Sequence, residues 1–221
     1  MEGFSLDSMH ECEHIISAPD VFLETSRTGV HYRLSRFHTD TCYRLSPVMG
    51  VGSHREIFSR RLVDEMGDQG IDCGEIGAFV ATGVDGALLA STLQHYRTFK
   101  KQPRLTYVYE QDGALALREG FSFEKDEKVW VISPAAIRFR RIAQTIDLIQ
   151  RAGSHPDHQP CVDGCMVLLD RSPVGLDWRR GLCAYRFIVG MRKPIVAYPT
   201  NPKICPFCIQ GVPIGDWTET A

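Results

Sequence analysis

Residues 128–153 read KVWVISPAAIRFRRIAQTIDLIQRAG. The apolar run Val129–Ile132 has the composition of a strand buried on both faces. Phe139, Ile142, Ile146 and Ile149 then fall at helical spacing, and Gly153 stands where a helix commonly ends. Strand, tight turn and helix form the unit that in many nucleotide enzymes cradles a phosphate on backbone N–H groups. The turn between them contains neither a carboxylate nor a glycine. The frame of such a site is present without its usual centre.

The flanking sequence repeats the same alternation. Ser53–Met66 reads as a helix with Ile57, Phe58, Leu62 and Met66 on one face. Gly74–Ala81 is a short apolar strand followed by the glycine-rich turn TGVDG and a helix over Ala87–Tyr96. Arg104–Tyr109 is β-branched and aromatic. Asp112-Gly113 beyond it supplies the positive φ of a tight hairpin, with Leu115 and Leu117 alternating on the return strand. Val162–Leu169 and Cys183–Val189 complete the strands. Strands alternating with helices predict an α/β domain with a mainly parallel central sheet, flanked by helices and carrying a small β-hairpin hood. Residues 1–18 read as a helix or loose arm and 19–221 as a single domain. Pro19–Tyr43 supplies short edge strands.

Composition excludes several classes. The formal charge of -2 over 221 residues gives no basic field for nucleic acid. No run of eighteen apolar residues exists, so no membrane span is expected. The acidic N-terminus does not read as a secretory signal. With eight cysteines, this points to reduced thiols in a cytoplasmic setting rather than a disulfide scaffold.

Four segments, in order, resemble the orotate phosphoribosyltransferase family of the type I phosphoribosyltransferase fold. They are HYRLSRFHTDTCY (His31–Tyr43), ATGVDG (Ala81–Gly86), VYEQDGALALREGF (Val108–Phe121), and LLDRS followed by CPFCIQGVPI near the C-terminus. The resemblance runs from about residue 21 to 216. It implies a transferase of pyrimidine metabolism, commonly a dimer whose site is completed by the partner. It also implies a small-molecule ligand, anionic or nucleotide-like, and magnesium only if phosphoribosyl transfer is retained; no other cofactor is expected.

The departures fall where the chemistry would be. The family's two acidic residues, which bind the ribose hydroxyls of phosphoribosyl pyrophosphate, align with Ser133 and Pro134. Its two threonines align with Ile137 and Arg138, and its glycines with Phe139 and Arg140. The basic residue of the hairpin aligns with Glu110, and a Ser-Gly pair with Arg36-Phe37. The resemblance therefore implies a divergent member with a degenerate donor loop.

Within this frame the candidate catalytic residues are His38 and Asp40 as an acid–base pair, Tyr43 as a stacking platform, Cys42 as a nucleophile, and Glu110 and Asp112 on the hairpin. The candidate ligand-binding residues are Thr82, Gly83 and Gly86 of the first turn and Arg138, Arg140 and Arg141 of the second. Arginine forks beside a helix N-terminus suit an anion. The plain alternatives are that Thr82–Gly86 packs a helix onto a strand and that the arginines form a solvated turn.

Cys205-x-x-Cys208 has metal-ligand or redox spacing, and Cys161 and Cys165 are the residual partner pair. Cys165 falls inside a buried strand, so the tail is read as structural and no metal is assigned. His10, Cys12 and His14 alternate on the terminal arm and are likewise given no metal. Three functions stay open: an enzyme re-purposed to a small flat or anionic metabolite in the old cleft, a non-catalytic ligand sensor or pseudo-enzyme partner, and orotate phosphoribosyl transfer through an altered donor geometry. A broad apolar face around Phe37, Phe139 and Trp178 would favour the second.

Overall fold

A strand of alternating large side chains lies at the centre of the molecule. The computed structural model describes residues 4–34, 37–152, 160–173 and 182–215. In it β8 (Lys128–Ala136) pairs in parallel with β5 (Ala78–Thr82) on one side and β9 (Cys161–Asp170) on the other. The full order is β10 (Arg186–Arg192), β9, β8, β5, β6 (Arg104–Gln111) and β7 (Ala114–Leu117). All pairs are parallel except β6–β7.

Successive residues of a strand point to opposite faces, so one apolar run feeds two cores. Val129 and Val131 pack with α6 (Arg140–Ala152), through its Ile142, Ile146 and Ile149. Trp130 and Ile132 face the other way. They join Phe58 and Leu62 of α4 (Gly52–Asp68) and Leu89 and Leu93 of α5 (Gly83–Leu93). Each fully buried side chain of this size contributes roughly 1.5–3 kcal/mol over exposure. The result is helix, sheet, helix, as the alternation predicted.

Several boundaries differ from the sequence reading. β8 runs to Ala136 rather than stopping at Ile132, through Pro134. Pro in a central strand normally loses a ladder bond. Here β5 pairing ends at Ile132 and the ladder to β9 skips Pro134. The TGVDG segment is no loop: Gly83, at φ 75°, reverses the chain and α5 starts there. The N-terminal segment, α1 (Phe4–Ile16), is packed rather than loose. Cys12 and Ile16 are fully buried in the core shared with α4, and Ser8 donates to Asp64 at 2.7 Å. Burial of Cys12 turns it away from His10 and His14, both exposed, so the alternating trio does not converge.

The Asp112-Gly113 hairpin forms with both residues at positive φ, 52° and 77°, and it extends the main sheet as an edge. A separate four-stranded sheet has the order β11 (Tyr198–Pro199), β3 (Phe37–Thr39), β2 (His31–Leu34), β12 (Ile214–Gly215). β1 (Phe22–Glu24) and β4 (Thr41–Tyr43) pair beside it. This small layer joins the C-terminal tail to the segment after α1. Among the described residues no helix is long and apolar enough to cross a membrane. Gly153, Arg36 and Trp178 lie outside the described residues.

Gly164 on β9 is required by close approach. A Cβ there would meet the Trp130 ring at 2.7 Å and the Arg186 carbonyl oxygen at 2.9 Å. The carbonyl is main chain and cannot swing away. Gly164→Ala is expected to lower the unfolding free energy by about 1–3 kcal/mol, read from urea denaturation midpoints at unchanged slope.

Candidate functional site

β8 and β9 project beyond the end of β5, and that overhang shapes the site. Ser133 stands at the first position of the expected acidic pair. Its hydroxyl donates to the Ala135 carbonyl at 2.8 Å and accepts from Thr82 Oγ1 at 2.9 Å, all buried. Thr82 is thereby spent on packing. Gly86 is too: a Cβ on it would meet the Ile132 oxygen at 3.1 Å and Pro134 Cδ at 3.4 Å. The first turn serves the seating of α5 on β8.

Phe139 holds the second turn. Its φ of 53° is left-handed, a conformation a bulky residue adopts at a cost of order 1–3 kcal/mol. The turn keeps the backbone shape of a glycine without the glycine. Its side chain is buried and meets Phe187 edge-on at 5.6 Å, which offsets the strain. Arg138 lies over the Phe37 ring at 5.7 Å, and Ile137 is buried against Leu23, Tyr32 and Leu34 of the small layer.

A cavity of about 670 Å³ opens between this turn, α6 and the β6–β7 hairpin. Its lining includes Arg138, Arg140, Arg141 and Arg151, with Glu110 facing them from the hairpin. Arg141 Nε is buried and has no hydrogen-bond partner among the described residues. An unpaired buried donor is costly, and an anion would satisfy it. The first N–H groups of α6 have no intrahelical partner, and their dipole has the same sign as the arginines. The arrangement suits a bound negative charge.

The remaining candidates lie elsewhere. Thr82, Gly83, Gly86, His38, Asp40, Cys42 and Tyr43 do not line this cavity, and Asp112 sits at the exposed hairpin tip outside it. Cys42 is 1% exposed in the apolar cluster with Tyr32 and Leu34, out of reach of a substrate. Tyr43 is covered by Arg171, whose guanidinium lies 4.4 Å from the ring centre, and by Phe22 at 5.0 Å. Asp40 accepts from Thr39 Oγ1 at 3.4 Å, and among the described residues no bond joins it to His38. The expected acid–base pair does not form, because β3 turns His38 toward the C-terminal tail.

There His38 meets a second cluster. His31 Nε2 and His38 Nδ1 are 3.2 Å apart, and Cys208 Sγ lies 3.5 Å from the former and 3.3 Å from the latter. Cys205 completes the group, whose ligand atoms all lie within 4.8 Å of one another. Burial foremost, with the neighbouring His31 and Arg33, lowers the His38 pKa below its ordinary value. Burial and the neighbouring Cys205 raise that of Cys208. The partners of the CxxC pair are thus two histidines, not Cys161, which is exposed at the start of β9, or Cys165, buried within it. Sequence spacing does not reveal His31 as a partner, because it is seven residues from His38 and 177 from Cys208. Only the strand pairing joins them.

Arg171 was also missed. It is 1% exposed, its N–H donates to the Ala136 carbonyl at 2.8 Å, and its guanidinium donates to Thr41 O and Oγ1, both at 3.2 Å. It ties the overhang to β4.

No family model matches the sequence. An orotate phosphoribosyltransferase of Pelotomaculum thermopropionicum is 24% identical over 185 residues, 83% of this chain and 85% of that protein. Among solved structures, orotate phosphoribosyltransferase from Aeropyrum pernix superposes with a TM-score of 0.57 at 16% identity, covering 81% of this chain and 92% of that one. A phosphoribosyltransferase from Corynebacterium diphtheriae gives 0.58 at 12% identity, over 84% and 96%. The chain is thus similar, at low identity, to orotate phosphoribosyltransferases. Its fold is that of the type I phosphoribosyltransferases, which puts the arginine turn and the hairpin at the two sides of the sheet's open end.

Two outcomes follow from this geometry. Arg171→Met is expected to cost about 1–3 kcal/mol of stability, because Thr41 O and Oγ1 lose their guanidinium donor and Tyr43 its cation, while the backbone bond to Ala136 remains; denaturant unfolding reads it. Burial pushes the Cys12 and Cys165 thiols up to about 12. In native protein at pH 8, Cys161 and Cys183, both exposed, are therefore expected to react with a thiol reagent at once, while Cys12 and Cys165 react only on unfolding. Mass spectrometry of the labelled peptides checks the order.

Proposed function

We propose that this chain binds a small phosphate- or carboxylate-bearing molecule between the β6–β7 hairpin and α6. We further propose that it has lost orotate phosphoribosyl transfer, the reaction for which its curated relatives are named. The observation that carries this reading is the convergence on one cavity of about 670 Å³ of Arg138, Arg140 and Arg141 at the start of α6, with Arg151 from its last turn. Charge-assisted hydrogen bonds of this kind contribute about 1.5–3 kcal/mol each. The same turn offers Ser133 and Pro134 in place of the acids that would hold a ribose, and the Ser133 hydroxyl is already bonded on both sides. Among the described residues Glu110 is the one carboxylate lining the cavity, so a magnesium-bound donor would find little to hold its metal.

A second reading rests on Glu110 itself. A carboxylate opposite bound substrate is a suitable general base, and the chain would then be an enzyme re-purposed to an anionic metabolite. Glu110→Gln separates the two: under the second reading it abolishes turnover and leaves binding intact.

Titration calorimetry with inorganic phosphate, orotate, orotidine monophosphate and phosphoribosyl pyrophosphate with magnesium tests the proposal. At least one phosphorylated compound is expected to bind with Kd below about 1 mM, a free energy near -4 kcal/mol. Arg141→Ala is expected to weaken it about tenfold or more, with unfolding temperature unchanged, and raising the salt concentration weakens it further. Pyrophosphate release from the donor in the presence of orotate would show that transfer survives. Absence of binding by every anion would remove the pocket reading.

A further inference from the structure

We propose that His31, His38, Cys205 and Cys208 form a tetrahedral zinc site that fastens the C-terminal tail to the small sheet. The site is separate from the arginine-lined cleft, with which it shares no residue.

Strand register brings the histidines together. β2 and β3 are antiparallel with Arg33 opposite His38, so His31 is a diagonal neighbour of His38 on the same face. The tail then wraps this pair. β11 pairs Tyr198 with His38, β12 pairs Ile214 with His31, and His31 N–H donates to the Pro213 carbonyl at 2.9 Å. Between these two strands, α7 (Pro206–Ile209) begins at Cys205 and lays both thiols over the histidines. Phe207 stacks on the His31 ring at 5.4 Å and fixes its plane.

The separations among His31, His38 and Cys208 are those of a coordination sphere, and Cys205 lies within 4.8 Å of each of them. A zinc ion with bonds of about 2.05 Å to nitrogen and about 2.3 Å to sulfur has tetrahedral edges of about 3.3 Å between nitrogens and about 3.5 Å between nitrogen and sulfur. The corresponding separations are 3.2 Å, and 3.5 and 3.3 Å. His31 and Cys205 are fully buried and His38 is 3% exposed. Two thiolates and two neutral imidazoles make a neutral complex with the dication, which suits such burial. An S₂N₂ tetrahedral set selects zinc over the harder divalent ions.

Beyond its two short strand pairings, the tail has little apolar burial to hold it. Its large aliphatic residues Ile204, Ile209 and Ile214 are 58%, 65% and 48% exposed. Apolar burial therefore supplies a small part of its attachment, and metal binding would supply folding energy directly.

The full chain, expressed with zinc in the medium and purified in reductant, is analysed by elemental mass spectrometry after gel filtration. About one zinc per chain is expected. A Cys161→Ser, Cys183→Ser variant keeps it, and a Cys205→Ser, Cys208→Ser variant loses it. Replacing zinc with cobalt in the unsubstituted chain is expected to give the strong visible bands of a tetrahedral thiolate site. Removing zinc with a strong chelator lowers the unfolding temperature by about 5 °C or more, and added zinc restores it. A folded chain without metal, indifferent to added zinc, would overturn the proposal. So would zinc retained in the Cys205→Ser, Cys208→Ser variant.

Discussion

The double-sided burial of β8 is the constraint on which the other features rest. A strand covered on both faces must donate one set of side chains to each core, and its neighbours must leave room. Trp130 goes to one face and Val129 and Val131 to the other. Gly164 clears space for the Trp130 ring, and Asp163 accepts from its indole N–H at 3.2 Å. With β8 fixed, α5 and α6 can be placed only where they cover it. The open end of the sheet, where β8 and β9 outrun β5, follows from the same register.

At that end an unusual backbone is held in place by packing. Phe139 retains a left-handed backbone that glycine would adopt freely, and buries its ring to offset the cost. Pro134 is tolerated because the ladder has no use for its missing N–H. Ser133 and Thr82 satisfy each other. These features are mutually consistent, and they leave a cleft bordered by arginines on one side and by Glu110 on the other. Arginines so placed suit a negatively charged group.

The small layer follows a different rule. Its strands are two to four residues long, and strands so short are marginal without a further anchor. Ile137 and Arg171 attach it from the sheet side. The cluster of His31, His38, Cys205 and Cys208 attaches it to the tail. His38 therefore belongs to the structure of this layer, and the acid–base role that its spacing from Asp40 suggested has no geometry behind it.

Local sequence decided the elements of the sheet. The apolar run of β8, the helical spacing of Ile142, Ile146 and Ile149, and the Asp112-Gly113 turn each carry their conformation in residues a few positions apart. Backbone preference and side-chain periodicity act over that range, so the α/β class and the hairpin were legible without coordinates. Glu110 on the hairpin and Arg138, Arg140 and Arg141 on the turn before a helix could be placed on their elements for the same reason, but that they face one another across a cavity could not. What only the tertiary structure decided was which distant residues meet. His31 joins Cys208 and Arg171 joins Thr41 through strand pairing and the return of the tail, over separations of 177 and 130 residues. Periodicity carries no information about contacts at that range, because they depend on the register and packing of the whole fold.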